Sequence, residues 1–531
     1  MLSPIAWFLL PSLSIACTTL VATRGSTTDG SVMLSHSNDG DGATVGNLRV
    51  EDAAAWVLPQ RRKVSRGSVP QVATTFSYFS KVDGYASINE HQVALAESTC
   101  VAVFANNGSA GAALNIVDLS ELGLERAASA RAAVLVMGKL AEQYGYYDNG
   151  ESLLVGDPQE AFIFQVLPDH TGTGAVWVAQ RVPDGHVGVV ANSFSVREVA
   201  LDDSHAFLHS ANLLQAAAFT GRWSEGPLDF TFVFAGPEPG RKYTSGRRMW
   251  RAFQLLAPDA SAHLPVEYVE YVSGRPYPAT LPAANVSRAT MRSVMRDFYE
   301  GTAFDMSHGM AAGAFGSPAR WSVAAGTVGG WERPIAIGRT IVSYVAVCRA
   351  WLPSAVGGVL WFSMHAAHTS VYVPFFAGMT TPAAHPVALP DAYTSNRLGS
   401  VDRTVGAWQA ARFVFNAAQL NFQRALPSIR LAQRLWEQRG ETLVDDGTAA
   451  YVAGALNMEG LARRCHEHAV EAVGAWWTLS DELQLAYSHP SEVYPDWWLQ
   501  AVNYSGGPSP APPVPPTSQP DGAEGLKRSL G

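Results

Sequence analysis

The sequence has few cysteines, no excess of positive charge and no long apolar run beyond its first residues, and each shortage excludes a class of protein. Four cysteines in 531 residues are too few for a disulfide framework. The net charge of −9 argues against nucleic acid or an anionic membrane as the principal partner. The most apolar later stretch, 356–376, is interrupted by His365 and His368, so we expect no membrane span after the leader.

Motifs of several enzyme classes are also missing. No Gly-rich phosphate loop precedes a clear helix, and no G-x-S-x-G sequence lies in the context of a nucleophile elbow. His205 and His209 have the spacing of a metal pair, but no Glu lies between them and no third ligand is evident. Cys465 and His468 share one helix face without further ligands. The sequence therefore predicts no metal, no cofactor and no serine nucleophile.

What the chain does have is a cysteine at a cleavage-like junction. Residues 5–10 form an apolar segment, and Ser14 and Ala16 are the small residues that a signal peptidase recognises before Cys17. The leader carries no Lys or Arg, which is unusual for a signal peptide. An internal apolar strand and an acylated lipoprotein cysteine are the alternatives. We favour secretory cleavage before Cys17, with 1–16 as a leader.

Such cleavage would make Cys17 a nucleophile that carries its own base. The free α-amine of an N-terminal residue has a pKa of roughly 7.7–8.0, so part of it is unprotonated near neutral pH. That amine can take the thiol proton directly or through a water molecule. The arrangement needs no histidine.

The order of apolar patterns indicates a layered α+β protein. A helical run is expected over 122–144, closed by Gly145, and a helical part over about 404–490 that includes 428–439 and 448–477. We assign 17–504 to one domain and 505–531 to a Pro-rich disordered tail. The expected strands are 18–22, 32–36, 93–96, 101–104, 161–166, 175–182 and 187–191.

A series of short blocks resembles one known family in its joint order. The series begins with Cys17-Thr18-Thr19, Asp29-Gly30-Ser31 and Asn38-Asp39, and it continues with Asn89-Glu90-His91-Gln92-Val93-Ala94, Glu97-Ser98-Thr99, Trp177-Val178-Ala179-Gln180-Arg181-Val182-Pro183, Val190-Ala191-Asn192-Ser193-Phe194, Arg247-Arg248-Met249-Trp250-Arg251, Glu300-Gly301-Thr302 and Tyr494-Pro495-Asp496-Trp497-Trp498. The chain thus resembles the cysteine dipeptidases of the N-terminal-nucleophile (Ntn) hydrolases, which include dipeptidase A and the secernins. Penicillin V acylase and bile salt hydrolase are related to them.

This resemblance implies a four-layer αββα fold, hydrolysis of short peptides and roles for the residues around Cys17. It implies that Asp39 accepts hydrogen bonds from the α-amine, and Asp41 is the competitor for that role. It implies that Asn89 and Asn192 bind the oxyanion or hold the α-amine. It implies that Arg247 organises the surroundings of the nucleophile. Turn capping by the asparagines, turn chemistry at Asp39 and a surface role for the arginine stay open as alternatives.

One position departs from the family pattern, because His36 stands where many members have arginine. A protonated His36 would replace that arginine in tuning the thiol or in binding a substrate carboxylate, and activity would then favour mildly acidic pH. A histidine that is simply hydrogen-bonded on a strand is the alternative.

The expected partner is a short peptide, and self-association into a homo-oligomer is compatible with the sequence. An acylase acting on non-peptide N-acyl amides and a non-catalytic secernin-like protein are the rival functions. Secretion, or delivery to a lysosome-like compartment, follows from the leader. It would make glycosylation sites of three sequons, which begin at Asn107, Asn285 and Asn503.

Overall fold

The computed structural model describes most of the chain and divides it into two units. The described ranges are 17–40, 44–81, 85–105, 111–236, 242–265, 277–320, 333–384, 387–398, 402–403, 406–488 and 493–503. The first unit is Met1–His489 and the second is Pro490–Gly531. The proposed leader and tail lie outside the described residues. In the second unit the described part contains helix Asp496–Ala501.

Two antiparallel sheets form the centre of the first unit. Its strands are β1 Thr18–Ala22, β2 Val32–Asp39, β3 Leu48–Glu51, β4 Ala54–Ala55, β5 Arg61–Val64, β6 Gly67–Pro70, β7 Thr74–Thr75, β8 Tyr78–Lys81, β9 Ala86–Asn89, β10 Ala94–Cys100, β11 Gly150–Gly156, β12 Ala161–Pro168, β13 Ala175–Arg181, β14 His186–Val190, β15 Glu198–Val199, β16 Phe207–His209, β17 Leu228–Asp229, β18 Thr280–Pro282, β19 Thr340–Cys348, β20 Val359–Met364 and β21 Val373–Phe376. Sheet 1 has the order β18-β14-β1-β2-β19-β20-β21. Sheet 2 has the order β16-β13-β12-β11-β10-β9-β8-β3. The pairs β15–β17, β4–β7 and β5–β6 form small ribbons.

Helices cover the outer faces of both sheets. They are α1 Ile116–Arg126, α2 Ala130–Tyr144, α3 Leu213–Phe219, α4 Phe230–Phe234, α5 Arg247–Leu256, α6 Pro258–Ser261, α7 Arg288–Val294, α8 Ser354–Gly357, α9 Asp391–Thr394, α10 Ala407–Ala418, α11 Phe422–Val452 and α12 Met458–Tyr487. Helices α1 and α2 pack on sheet 2, whereas α5, α7, α10, α11 and α12 pack on sheet 1. Strands β1 and β2 contact β10 and β11 across the interior. The four-layer αββα arrangement and the α+β class are therefore confirmed.

Two apolar cores hold the layers together. One lies between sheet 2 and its helices and includes Leu122, Met137 and Phe164. The larger one fills the space between the sheets and continues under the helices of sheet 1. Strand β2 is buried along its whole length. This places the first residues of β1, and Cys17 before them, inside the protein.

The bounds of the helices and strands differ from the sequence prediction in three places. The run over 122–144 is two helices, because Ser129 caps α2 by accepting a hydrogen bond from the Ala132 N–H. Residues 101–104 form no strand beyond a single bridge between Ala102 and Ala235. The boundary predicted between 439 and 448 is wrong, because α11 runs without a break from Phe422 to Val452.

The glycines inside α11 explain the missed boundary. A Cβ at Gly440 would lie 2.9 Å from the Trp361 ring, and one at Gly447 would lie 2.6 Å from Leu461. These glycines therefore permit close packing and do not end the helix. The break comes after Val452, and Asn457 caps the next helix through the Gly460 N–H.

The described ranges contain two helices of 30 or more residues, α11 and α12. None of the helices found there has both the length and the apolarity to cross a bilayer.

Candidate active site

Cys17 lies at the start of β1, where neighbouring strands and one helix fix its backbone. Strand β1 pairs with β2 on one side and with β14 on the other. The Thr18 N–H donates to Ser37 Oγ at 3.2 Å. Arg248, in the first turn of α5, donates from Nη1 to the Cys17 carbonyl oxygen at 2.8 Å and to Thr18 Oγ1 at 2.7 Å. The nucleophile candidate is thus held by contacts from distant parts of the chain.

The thiol of Cys17 faces a carboxylate. Its Sγ donates to Glu97 Oε2 at 3.3 Å, and His36 Nε2 lies 3.7 Å from the same oxygen. The other oxygen, Glu97 Oε1, accepts from Thr99 Oγ1 at 2.9 Å. Cys17, His36 and Glu97 are all buried. A thiol–carboxylate–imidazole group therefore lies between the two sheets, since His36 is on β2 of sheet 1 and Glu97 is on β10 of sheet 2.

Glu97 is ionised in this environment although it is buried. Burial alone would raise the pKa of Glu97, but hydrogen bonds from His36 and Glu151 and the charges of His36 and Lys81 outweigh it and lower the pKa to about 2. Burial and the charge of Glu97 raise the pKa of Glu151 well above its ordinary range. The surroundings thus favour the ionised form of Glu97 and the protonated form of Glu151, as expected for two carboxyls that share a site.

The surroundings of Cys17 disfavour the thiolate form of its side chain. Burial, followed by repulsion from Glu97 and Asp39, raises the pKa of Cys17 well above its ordinary value. Lys81 and the Asp39 backbone N–H act in the opposite direction. A nucleophilic thiolate therefore requires a base next to the sulfur.

The arginine beside Cys17 is Arg248, not Arg247. Arg248 is fully buried, and its Nη2 also donates to Asn192 Oδ1 at 2.8 Å. The guanidinium of Arg247 lies over the Phe304 ring, 3.6 Å from its centroid. Successive residues of a helix point about 100° apart, so the two arginines lie in different surroundings, and the expected role of Arg247 stays a prediction.

Asp39 and Asn192 belong to one hydrogen-bonded group with Arg333. Arg333 donates from Nη2 to Asp39 Oδ2 at 2.5 Å and from Nη1 to Asn192 Oδ1 at 3.2 Å. Thr340 Oγ1 donates to Asp39 Oδ1 at 2.6 Å. The structure thus brings two of the expected residues, Asp39 and Asn192, to the surroundings of Cys17. The competitor Asp41 lies outside the described residues.

Asn192 has a left-handed backbone conformation that hydrogen bonds to a neighbouring strand hold in place. Its φ is 57°, in the left-handed region where Asn is tolerated better than most residues. Its backbone N–H donates to Ser98 Oγ at 2.9 Å, and its Nδ2 donates to Thr99 O at 2.8 Å. These bonds tie the end of β14 to β10, the strand that carries Glu97.

Asn89 holds a turn and is not part of the cluster around Cys17. Its Nδ2 donates to the carbonyl oxygens of Leu124 and Ala127 at 3.0 and 2.8 Å. Its Oδ1 accepts from the N–H groups of His91 and Val93 at 3.0 and 2.9 Å. The side chain therefore secures the end of α1 to the loop after β9. This corrects the expected oxyanion role, and the structural alternative of turn capping describes Asn89 better.

The other predicted residues fall in three places. His36 is buried beside Glu97, with its ring edge-on to Tyr344 at 5.2 Å between centroids. Asn285 and Asn503 are exposed, as a glycan site requires, whereas Asn107 lies outside the described residues. His36 thus belongs to the cluster around Cys17.

Five residues of the cluster were missed by sequence reasoning: Lys81, Glu97, Glu151, Arg248 and Arg333. A signal was present for two of them, because Glu97 and Glu151 interrupt strands that are otherwise apolar or small, and a charge in a buried strand needs a partner. Arg248 lies in the block 247–251 that resembles the family. Arg333 carried no local signal, since its partners are 141 and 294 residues away in the sequence.

The cysteines and metal-like motifs outside the site have structural surroundings. All four cysteines lie in the described part, where each is buried and outside any disulfide. Among the described residues, one trio brings metal-binding atoms within 4.8 Å of one another, and it is Cys17, His36 and Glu97. Neither the His205–His209 pair nor the Cys465–His468 pair forms such a group there.

A buried thiol beside a carboxylate, on a backbone that Arg248 fixes between two stacked sheets, is the kind of site that a thiol-dependent hydrolase needs. The sequence profile of Peptidase family C69 matches residues 16–423, and the chain therefore belongs to this family of peptide-bond hydrolases.

Individual relatives are distant but extensive in coverage. The probable dipeptidase of Salmonella dublin is 25% identical over 69% of this chain and 82% of its own length. Dipeptidase A of Lactobacillus helveticus is 23% identical over 69% of this chain and 76% of its own. Penicillin V acylase from Agrobacterium tumefaciens is similar in structure, with 16% identity and a TM-score of 0.32 over 68% of this chain and 86% of its own.

Proposed function

We propose that this peptidase is a dipeptidase whose nucleophile is Cys17, exposed as the first residue by removal of the leader. The observation that carries the proposal is the cluster around Cys17: a buried thiol 3.3 Å from the Glu97 carboxylate, on a backbone fixed by Arg248. The dipeptidase names of the relatives from Salmonella dublin and Lactobacillus helveticus support the substrate class.

In the proposed mechanism the α-amine of Cys17 supplies the base. It takes the thiol proton, and Sγ attacks the carbonyl carbon of the scissile peptide bond to give a tetrahedral oxyanion. The ammonium then returns the proton to the leaving amine, the C–N bond breaks, and a thioester remains. Water activated by the same amine hydrolyses the thioester. While the leader is attached, that nitrogen is an amide and cannot act as a base.

The neighbours of Cys17 have matching proposed roles. Asp39 accepts hydrogen bonds from the α-amine and fixes its direction, and Arg333 and Thr340 hold the carboxylate in place. The side-chain N–H of Asn192 is a donor for the oxyanion. Arg248 positions the Cys17 backbone and the Asn192 carbonyl. Donors of this kind are worth roughly 2.7–4 kcal/mol of transition-state stabilisation.

Two rival functions share the fold. An acylase acting on N-acyl amides would use the same nucleophile with a different substrate pocket. A secernin-like protein without catalysis would retain the fold only. The neighbours of Glu97 favour an enzyme, because the thiol and the imidazole beside this buried carboxylate can both exchange protons.

We also propose that the chain enters the secretory pathway and carries glycans. The leader and the exposed sequons at Asn285 and Asn503 support this location. Expression in a eukaryotic secretion host, with and without glycosidase treatment, measures it. A chain of unchanged mass after glycosidase treatment contradicts glycosylation.

The main test combines N-terminal sequencing with hydrolysis of a panel of dipeptides and N-acyl amides. We expect a mature terminus at Cys17, hydrolysis of dipeptides, and a loss of at least about 10³-fold in kcat/KM for Cys17→Ala. Cys348→Ser is the matched control, since Cys348 is buried and donates to the Gln92 carbonyl oxygen, a bond that serine can make. A mature terminus elsewhere, or full activity in Cys17→Ala, contradicts the mechanism. Hydrolysis of N-acyl amides alone favours the acylase.

A further inference from the structure

The trio Cys17, His36 and Glu97 has a geometry beyond that of a nucleophile and its neighbours. The distances from Glu97 Oε2 are 3.3 Å to Cys17 Sγ and 3.7 Å to His36 Nε2. Zinc bonds of about 2.0–2.3 Å in tetrahedral geometry put ligand atoms about 3.4–3.7 Å apart. All three donor atoms lie within 4.8 Å of one another. One small cation can therefore touch all three with small side-chain movements.

The donor types select the ion. A thiolate and an imidazole favour zinc and similar soft cations, whereas magnesium and calcium need several oxygen ligands. A thiolate and a carboxylate give the donor set two negative charges, which a divalent cation neutralises. The ion thereby removes the repulsion between two neighbouring anions in a buried site.

The surroundings hold the trio in place before any ion arrives. Thr99 Oγ1 fixes Glu97 Oε1, so that Oε2 points to the other two donors. The His36 ring packs edge-on against Tyr344, whose hydroxyl donates to Leu95 O at 2.5 Å. Such outer contacts orient ligands and add to metal affinity.

We propose that Cys17, His36 and Glu97 form a site for Zn²⁺ that reversibly switches this peptidase off. The Sγ–H bond breaks, its proton goes to solvent and an Sγ–Zn bond forms, with no change of oxidation state. The fourth position of the ion is left to water. The ion ties up the sulfur that would attack the substrate. Inhibition rests on the proposed function of Cys17, whereas binding does not.

The test uses Co²⁺ as a spectroscopic probe on the full chain as purified. We expect a thiolate-to-cobalt charge-transfer band that Zn²⁺ abolishes and excess Mg²⁺ does not. Cys17→Ser removes the band, and His36→Gln weakens cobalt and zinc binding by more than about tenfold. Cys348→Ser keeps both the band and the affinity, because its sulfur lies elsewhere. A missing band, or unchanged binding in Cys17→Ser and His36→Gln, overturns the proposal.

A second measurement needs no variant and decides the matter if a variant fails to fold. Zinc should protect Cys17 from alkylation, measured by peptide mass mapping, and a chelator should restore the reaction. Equal alkylation with and without zinc overturns the site. In the activity arm, zinc inhibits dipeptide hydrolysis and His36→Gln raises the inhibiting concentration. If the chain hydrolyses no dipeptide but still gives the cobalt band, the proposed function fails and the metal site stands.

Discussion

Two buried glutamates, Glu97 and Glu437, carry charge in this protein for different ends. Glu437 lies on α11, where Arg296 contacts both of its oxygens, Arg292 Nε lies 3.2 Å from Oε2, and the Tyr372 N–H donates to Oε1 at 3.1 Å. Burial raises the pKa of Glu437, but the two arginines outweigh it and lower the pKa.

Among the described residues, no pair of arginines contacts Glu97 in this way. Its partners are a thiol, an imidazole, a hydroxyl and a second carboxyl, with the Lys81 charge nearby. Most of these partners can gain or lose a proton, whereas an arginine keeps its proton at all ordinary pH values. The comparison teaches that burial of charge alone does not mark an active site. What marks it is a buried charge whose neighbours can exchange protons.

The first prediction has the greatest magnitude. Substitution of Glu437 should lower the free energy of unfolding more than substitution of Glu97 does. Glu437→Gln should lower the free energy of unfolding by about 3–5 kcal/mol, because it leaves the Arg296 charge without its carboxylate and leaves Arg292 with Glu441 alone. Its kcat/KM for a dipeptide, measured on the folded fraction at low temperature, should stay near that of the wild type. Glu97→Gln should show the reverse, with a clear loss of kcat/KM and a smaller change in stability. Denaturant unfolding and kinetics on both variants measure this, and similar effects at both positions would remove the distinction.

The next effect compares two adjacent arginines. Arg248→Lys should lower kcat/KM roughly 100-fold, because lysine cannot reach the Cys17 carbonyl, Thr18 and Asn192 at once. Arg247→Lys is the matched control, since it keeps a cation near the Phe304 ring. Its activity should change less than about threefold. Equal losses in the two variants would show that the region tolerates no change and that Arg248 has no special role.

The smallest effect concerns two buried histidines whose side chains carry no charge. His365 and His368 pack among aromatic rings that include Phe415. Burial, with repulsion from nearby arginines, lowers the pKa of each to about 3. Since the unfolded pKa is about 6.5, the unfolded chain binds protons first as pH falls. The free energy of unfolding should therefore fall by roughly 1 kcal/mol per pH unit for each imidazole between about pH 6.5 and 3.

Urea unfolding at pH 7 and pH 5 measures that slope. His365→Gln should reduce it, because one of the two imidazoles is then absent from both states. An unchanged slope would mean that other groups dominate the acid response.

The layered fold was predictable because alternating and helical patterns are local, and the strands 18–22 and 161–166 lie within β1 and β12. Cys17, Asp39 and Asn192 came from ordered blocks of sequence. Arg333 could not be found in that way, since its position follows from the meeting of β2, β14 and the segment before β19. The choice between Arg247 and Arg248 depends on the rotation of α5, which local patterns do not specify. Asn89 was assigned to the oxyanion because both roles use the side-chain amide of an asparagine. An asparagine that caps a turn and one that binds an oxyanion therefore look alike in the sequence.

The hydrogen bond from Arg248 to the Cys17 carbonyl oxygen joins residues 231 apart in the chain, and the bond from Arg333 to Asp39 joins residues 294 apart. Contacts of such long separation form late, because the chain must close large loops to make them. The cluster around Cys17 is therefore complete only when segments from Cys17 to Thr340 have folded together. A partly synthesised chain that ends before Arg333 lacks the contacts that hold the Asp39 carboxylate in place.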